Sequence, residues 1–255
     1  MQIILKYSAV LMAMLAIADG PVDARQGSVA PKRPASETSP PDLPIYVMDG
    51  KATKDTLAIL YSGDGGWQEL DQKVGGYLQK EGIPVIGLDS LSYFWSGRTS
   101  QETARDLGRL IDYYTRHLNV QHVLLIGYSF GADVMPASYS RLTPEQRSKV
   151  RAISLLSLSH KVDYVVSIRG WLGLQTEGKG GNPVDDVKSI RPEIVQCLYG
   201  KDDDHDNACP ALRGTGIQVI GMPGGHHFGG DYDGLAQRIL GNLKNRTPPA
   251  SVRVR

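Results

Sequence analysis

The chain has 255 residues, 41% of them hydrophobic and 22% charged, with a formal net charge of +1. This length suffices for one sizeable core and not comfortably for two. The near-zero charge excludes a global field drawing the chain to nucleic acid or anionic lipid, so no direct nucleic-acid binding is expected and any charge preference must come from local clusters.

In chain order, residues 1–6 carry one positive charge and are followed by an apolar run over residues 7–18 that ends in Ala16-Ile17-Ala18. Small residues flanking a larger one suit signal peptidase, and the run is too short to span a bilayer, so residues 1–18 are expected to be a cleaved signal peptide that sends the protein to the periplasm. An uncleaved anchor is the alternative. Residues 19–44 contain Pro31, Pro34, Pro40, Pro41 and Pro44, which forbid regular structure and read as a flexible linker. The folded domain is then expected over 45–245, with a loose tail at 246–255. No internal repeat is present.

Within the domain the pattern alternates. Thr56–Tyr61 reads as a buried strand. Residues 68–80 read as a helix with Leu70, Val74, Tyr77 and Leu78 at helical spacing, stopped by Gly82. Residues 84–88 are a second strand. Residues 99–117 are a helix capped by Thr99 or Ser100, with Leu107, Leu110, Ile111 and Tyr114 on one face. Strands follow at 122–126, 150–158, 194–199 and 217–220, and helices at 131–140 and 233–243. Apolar strands alternating with helices imply a mainly parallel sheet flanked by helices on both faces, with sites beyond the carboxyl ends of the strands. Cys197 and Cys209 stand close in sequence, and export favours a disulfide between them over two free thiols.

The informative residues fall at those strand ends. Gly127-Tyr128-Ser129-Phe130-Gly131 follows one strand and opens a helix. This is the G-x-S-x-G nucleophile elbow of the α/β-hydrolase fold, in which glycines permit the tight turn and the serine is pushed out at a helix N-terminus. A serine needs a base, and in this fold the partners follow in the order serine, acid, histidine. The acid is expected after the fifth strand, where Gly-x-x-Asp spacing favours Asp203, with Asp202 as the alternate and Asp204 and Asp206 nearby. The histidine is expected after the sixth, in Pro223-Gly224-Gly225-His226-His227-Phe228; the spacing Pro-Gly-x-x-His favours His227, and the glycine pair favours His226. The oxyanion would take the N–H of Phe130 and one from the loop Ser62-Gly63-Asp64-Gly65-Gly66-Trp67, with Asp64 preferred. Gly63, Gly65, Trp67 and Tyr128 are expected to contact substrate, and Trp67, Tyr93, Phe94 and Trp95 to form an apolar rim. No cofactor or metal is expected, and the aspartate-rich loop lacks the spacing of a calcium-binding loop.

Taken together, Ser62-Gly63-Asp64-Gly65-Gly66-Trp67, Gly127-Tyr128-Ser129-Phe130-Gly131-Ala132-Asp133 and the segment from Pro223 through His226-His227-Phe228 to Tyr232 resemble the AcvB/VirJ family of bacterial virulence proteins, over about residues 57–240. The chain is similar to the short, VirJ-like form. The resemblance implies an α/β-hydrolase in the Gram-negative periplasm, and it carries the elbow serine over to Ser129. The long form of the family is associated with hydrolysis of lysyl-phosphatidylglycerol, and the short form with type IV secretion. An aminoacyl-phospholipid substrate would present a cation, which Asp64, Asp202, Asp203 and Asp204 could attract. Residues 165–174 are considered for peripheral membrane contact, with core strand and loop the plainer reading. Other ester substrates, or an adaptor role toward type IV secretion components or effector proteins, are the alternatives.

Overall fold

The computed structural model describes residues 41–166 and 178–244. The expected signal peptide (1–18), the linker through residue 40, the part of the apolar stretch from 167 to 174 and the tail (246–255) lie outside the described residues. Residues 41–44, assigned above to the linker, belong to the folded part: Leu43 packs against the core and the Pro44 carbonyl accepts the Asp89 N–H at 2.9 Å.

The described strands form one sheet in the order β1-β3-β2-β4-β5-β6-β7. These are β1 (Ile45–Met48), β2 (Thr56–Tyr61), β3 (Val85–Leu88), β4 (His122–Tyr128), β5 (Val150–Leu156), β6 (Val195–Gly200) and β7 (Gln218–Met222). Every neighbouring pair is parallel except β1 against β3. The helices described are α1 (Glu69–Lys80), α2 (Ser90–Phe94), α3 (Ser100–His117), α4 (Phe130–Ser140), α5 (Pro144–Lys149), α6 (Pro183–Lys188) and α7 (Tyr232–Lys244).

The period of two explains the layering. Every residue of β2 is buried, as expected of a strand covered on both faces. Leu57, Ile59 and Tyr61 join one apolar cluster with Leu107, Leu110, Ile111 and Tyr114 of α3. Ala58 and Leu60 join the other, with Leu70, Val74 and Leu78 of α1 and Leu235 and Ile239 of α7. Each such leucine contributes about 1.5–3 kcal/mol by leaving water. Thr99 is the cap of α3: its Oγ1 accepts the Glu102 N–H at 3.1 Å, and the Glu102 carboxylate accepts the Thr99 N–H at 2.8 Å.

Four short elements have no counterpart in the expectations. β1 is a half-exposed edge strand, so it lacks the apolar run of the central strands. α2, α5 and α6 have at most six residues, too few to show a helical period. The start of α5 was nevertheless marked, since Thr143-Pro144-Glu145-Gln146 is a capping box with proline at the first helical position. The strand expected over 150–158 stops at Leu156, because Ser157 takes φ 56° and turns the chain away. Because β2 to β7 run parallel, the loops after β2, β4, β5, β6 and β7 emerge at one edge of the sheet.

Candidate active site

The elbow is built by backbone proximity. Ser129 has φ 51° and ψ −119°, a strained conformation for a residue with a side chain. A methyl group on Gly127 would lie 2.4 Å from the Gly131 carbonyl oxygen, and one on Gly131 would lie 2.3 Å from the Tyr61 carbonyl oxygen. Both positions therefore demand glycine. The Ser129 N–H is held by the Leu156 carbonyl at 2.8 Å, and its own carbonyl accepts the N–H groups of Ala132 and Asp133. Ser129 thus caps α4, and Phe130 is the first helical residue, whose N–H has no acceptor within its helix.

The acid and histidine loops meet this elbow. His226 Nε2 lies 2.9 Å from Ser129 Oγ, and His226 Nδ1 lies 2.9 Å from Asp203 Oδ2. With the imidazole proton on Nδ1, that N–H donates to Asp203 and Nε2 is left to accept the serine hydrogen. The Asp203 side chain is 1% exposed and that of His226 19%. The other Asp203 oxygen accepts the His205 N–H at 3.1 Å.

His227, expected above as the base, is not placed for it. Gly224 has φ +89° and a tight turn joins the Phe228 N–H to the Gly225 carbonyl. Phe228 enters the core at 1% exposure, and between these anchors only His226 faces the serine. His227 Nδ1 instead meets the Tyr128 hydroxyl at 2.9 Å. The alternate acid, Asp202, is a staple between the two loops: its N–H donates to the Gly224 carbonyl at 3.0 Å, and its carboxylate accepts the Gly224 N–H at 3.1 Å. The loops touch backbone to backbone, since a methyl on Gly200 would lie 2.0 Å from the Gly225 carbonyl oxygen. Cys197 and Cys209 are bonded, with Cα atoms 5.5 Å apart, and so close a loop around Asp203.

The glycine loop after β2 borders the serine. A methyl on Gly63 would lie 3.5 Å from Ser129 Cβ, and Gly63, Asp64 and Gly65 all line the cleft that opens over Ser129. The loop is anchored from below, where Ser62 Oγ accepts the Ser90 N–H and Ser90 Oγ donates to the Ser62 carbonyl. Trp67 departs from its expected place. Its ring fills the space above Gly87, where a methyl would come within 2.1 Å of it, and stacks on Tyr46 at 5.2 Å. It is a buried support of the loop and does not line the cleft. Tyr93 and Phe94 are likewise core, with the Tyr93 hydroxyl donating to Asp106 at 2.6 Å. Trp95 is 59% exposed.

The cleft has a volume of 1220 Å³ and collects groups the motifs did not mark: Glu69, His160, Lys161, Asp206 and Tyr232. Four carboxylates, of Asp64, Glu69, Asp204 and Asp206, line it against one lysine, so its wall is acidic. Asp206 pairs with His160, accepting its backbone N–H at 2.8 Å and meeting Nδ1 at 2.5 Å. Asp203, Asp204 and His205 offer ligand atoms within 4.8 Å of one another, but Asp203 is engaged by His226 and the other two face solvent. Behind the cleft, Asp133 accepts the Ser159 N–H at 2.7 Å, and its burial raises its pKa to about 8. Burial likewise raises that of Asp71 to about 7. Asp133 belongs to the elbow segment, so its proximity was foreseeable; the others depend on loops meeting across the sheet.

Comparison with known proteins gives a consistent picture. Residues 55–247 match the family described as bacterial virulence protein (VirJ). Among solved structures, ferulic acid-bound Est1E from Butyrivibrio proteoclasticus superposes with a TM-score of 0.55 at 14% identity, over 79% of this chain and 94% of that one. A lipase-esterase related protein from Clostridium acetobutylicum gives 0.56 at 17% identity over 77% and 98%. The α/β hydrolase GrgF from a Penicillium species gives 0.57 at 12% identity over 79% and 92%. These likenesses establish the α/β-hydrolase fold. No curated protein matches the chain.

Proposed function

Since the chain belongs to the bacterial virulence protein (VirJ) family and has an α/β-hydrolase fold, we propose that it is a serine hydrolase that cleaves an ester bond, with an aminoacylated phospholipid such as lysyl-phosphatidylglycerol as substrate. The observation that carries the reading is the unbroken chain of 2.9 Å contacts from Ser129 Oγ through His226 to Asp203 at the floor of an open cleft. His226 takes the serine proton as the oxygen attacks the ester carbonyl, Asp203 stabilises the resulting imidazolium, and His226 then returns the proton to the leaving alcohol. Water repeats the sequence on the acyl-enzyme. The oxyanion is held by the N–H groups of Phe130 and Asp64, each worth about 3–4 kcal/mol.

The acidic wall supports a cationic acyl group, since Asp64 and Glu69 set negative charge beside Ser129 with Lys161 as the one opposing lysine of the cleft. The apolar run at residues 7–18 and the disulfide support export to the periplasm. Exposed Trp95 and Val165, joined through Gly97 and the Val166-to-Phe94 hydrogen bond, support contact with a membrane surface. The test is hydrolysis of p-nitrophenyl butyrate and of lysyl-phosphatidylglycerol vesicles by purified protein. Ser129→Ala is expected to abolish both while leaving the circular dichroism spectrum unchanged. If the alanine variant restores every phenotype of cells lacking the protein, a role as secretion adaptor replaces the hydrolase reading.

A further inference from the structure

The machinery above uses one of two adjacent histidines. We propose that the other, His227, is a positioning residue: through the Tyr128 hydroxyl it fixes the backbone carbonyl of His226 and thereby sets the base against Ser129. The inference rests on the reading of Ser129, His226 and Asp203 as the catalytic groups.

Tyr128 is the residue before the nucleophile and the last of β4, so its Cα is as rigid as the sheet. Its ring lies against Gly63, where an added methyl would stand 3.4 Å from it. Its hydroxyl is 2.9 Å from His227 Nδ1 and 3.5 Å from the His226 carbonyl oxygen. Ser157 Oγ reaches the same carbonyl at 3.4 Å. Burial, with the Asp71 carboxyl next in effect, raises the Tyr128 pKa further above its ordinary value, so the phenol keeps its hydrogen.

A phenol has one hydrogen to give. If His227 carries its proton on Nδ1, that N–H donates to the Tyr128 oxygen, and the phenol hydrogen is released to the His226 carbonyl. In the other tautomer Tyr128 donates to His227, and the carbonyl keeps only Ser157. The Nδ1–H tautomer therefore closes a chain from His227 through Tyr128 to His226. Such a tie has a task, because Gly224 and Gly225 precede His226 and leave its backbone freer than any other residue pair would. Both tying bonds are long, so neither alone holds the carbonyl firmly.

The experiment is steady-state hydrolysis of p-nitrophenyl butyrate by the full chain, with thermal melts of each variant. Tyr128→Phe and His227→Gln are each expected to lower kcat about tenfold with KM within about twofold, as loosened placement of a catalytic group does. His227→Asn should keep most of the activity, because its amide N–H stands where the Nδ1–H stood. The Tyr128→Phe/His227→Gln double variant should lose no more than either single one, since both break the same chain. Equal losses for His227→Asn and His227→Gln, multiplying losses in the double variant, a rise in KM at constant kcat, or lowered melting temperature at unchanged kcat would each overturn the proposal. His226→Ala tests the underlying reading separately: if it stays active while His227→Gln is dead, His227 is the base and the catalytic assignment itself fails.

Discussion

The elbow around Ser129 and the pair of loops bearing Asp203 and His226 reach the same point by different means. The elbow is set by what cannot fit: Gly127 and Gly131 press against backbone oxygens at 2.4 and 2.3 Å from where a methyl would sit. The loops are set by what is joined: Asp202 to Gly224, Asp206 to His160, Ala208 to Leu158 and Cys197 to Cys209. Exclusion acts between residues near in sequence, whereas joining spans segments more than ten residues apart. A site of this kind is therefore rigid at the nucleophile by sterics and rigid at its partners by cross-links, and the two halves should fail differently.

The largest expected failure is at the joined half. Asp203→Asn leaves the loops in place but stabilises the wrong imidazole tautomer, and is expected to lower kcat about 10⁴-fold on p-nitrophenyl butyrate with an unchanged melt. Removing both cysteines, Cys197→Ala with Cys209→Ala, frees a loop of 12-residue separation. In the chain-entropy view this costs about 3 kcal/mol, read by urea unfolding of variant and parent. At the excluded half, Gly131→Ala forces a methyl toward the Tyr61 carbonyl, and a loss of about 1–3 kcal/mol is expected in the same assay, accompanied by lower kcat. A loss from Gly131→Ala greater than that from the double cysteine variant would reverse the ranking of the two halves.

The smallest effect is pH-dependent and tests Asp133, which links the halves by reaching from α4 to Ser159. Its folded pKa of about 8 exceeds the ordinary value of 3.8 because of burial. Between those limits the unfolded chain releases a proton that the native state retains, so this group makes stability fall as pH rises from about 4 to about 8, with no further loss above. Asp133→Asn keeps an acceptor for the Ser159 N–H and removes that slope. The melting temperature of the variant relative to the parent is expected to climb between pH 5 and pH 8. Asp71, raised to about 7 by burial, leaves a slope of the same sign in both proteins.

The same contrast governs what was legible in the sequence. The sheet, its long helices and the elbow come from periodicity and local sterics, and Thr56–Tyr61, Ser100–His117 and Ser129 were foreseen from those alone. The histidine was misassigned because spacing from Pro223 counts residues along the chain, while the choice between His226 and His227 is made by Gly224, Phe228 and the opposing Gly200. Trp67 was misread because an aromatic next to a glycine loop looks the same whether it faces a ligand or a glycine on the neighbouring strand. Glu69, His160 and Tyr232 carry no motif at all, and only the meeting of loops at one sheet edge brings them to the cleft.

Trp67 also ties the loop beside Ser129 to the start of the domain, because its ring lies on Tyr46 of β1, a strand that contributes nothing to the cleft. That single stacking contact sets a limit on maturation by proteolysis. Trimming the chain as far as residue 40 touches none of these contacts. A cut beyond Tyr46 would strip the roof from Trp67 and expose the edge of β3, and the enzyme would lose its activity through a residue some eighty positions away from its nucleophile.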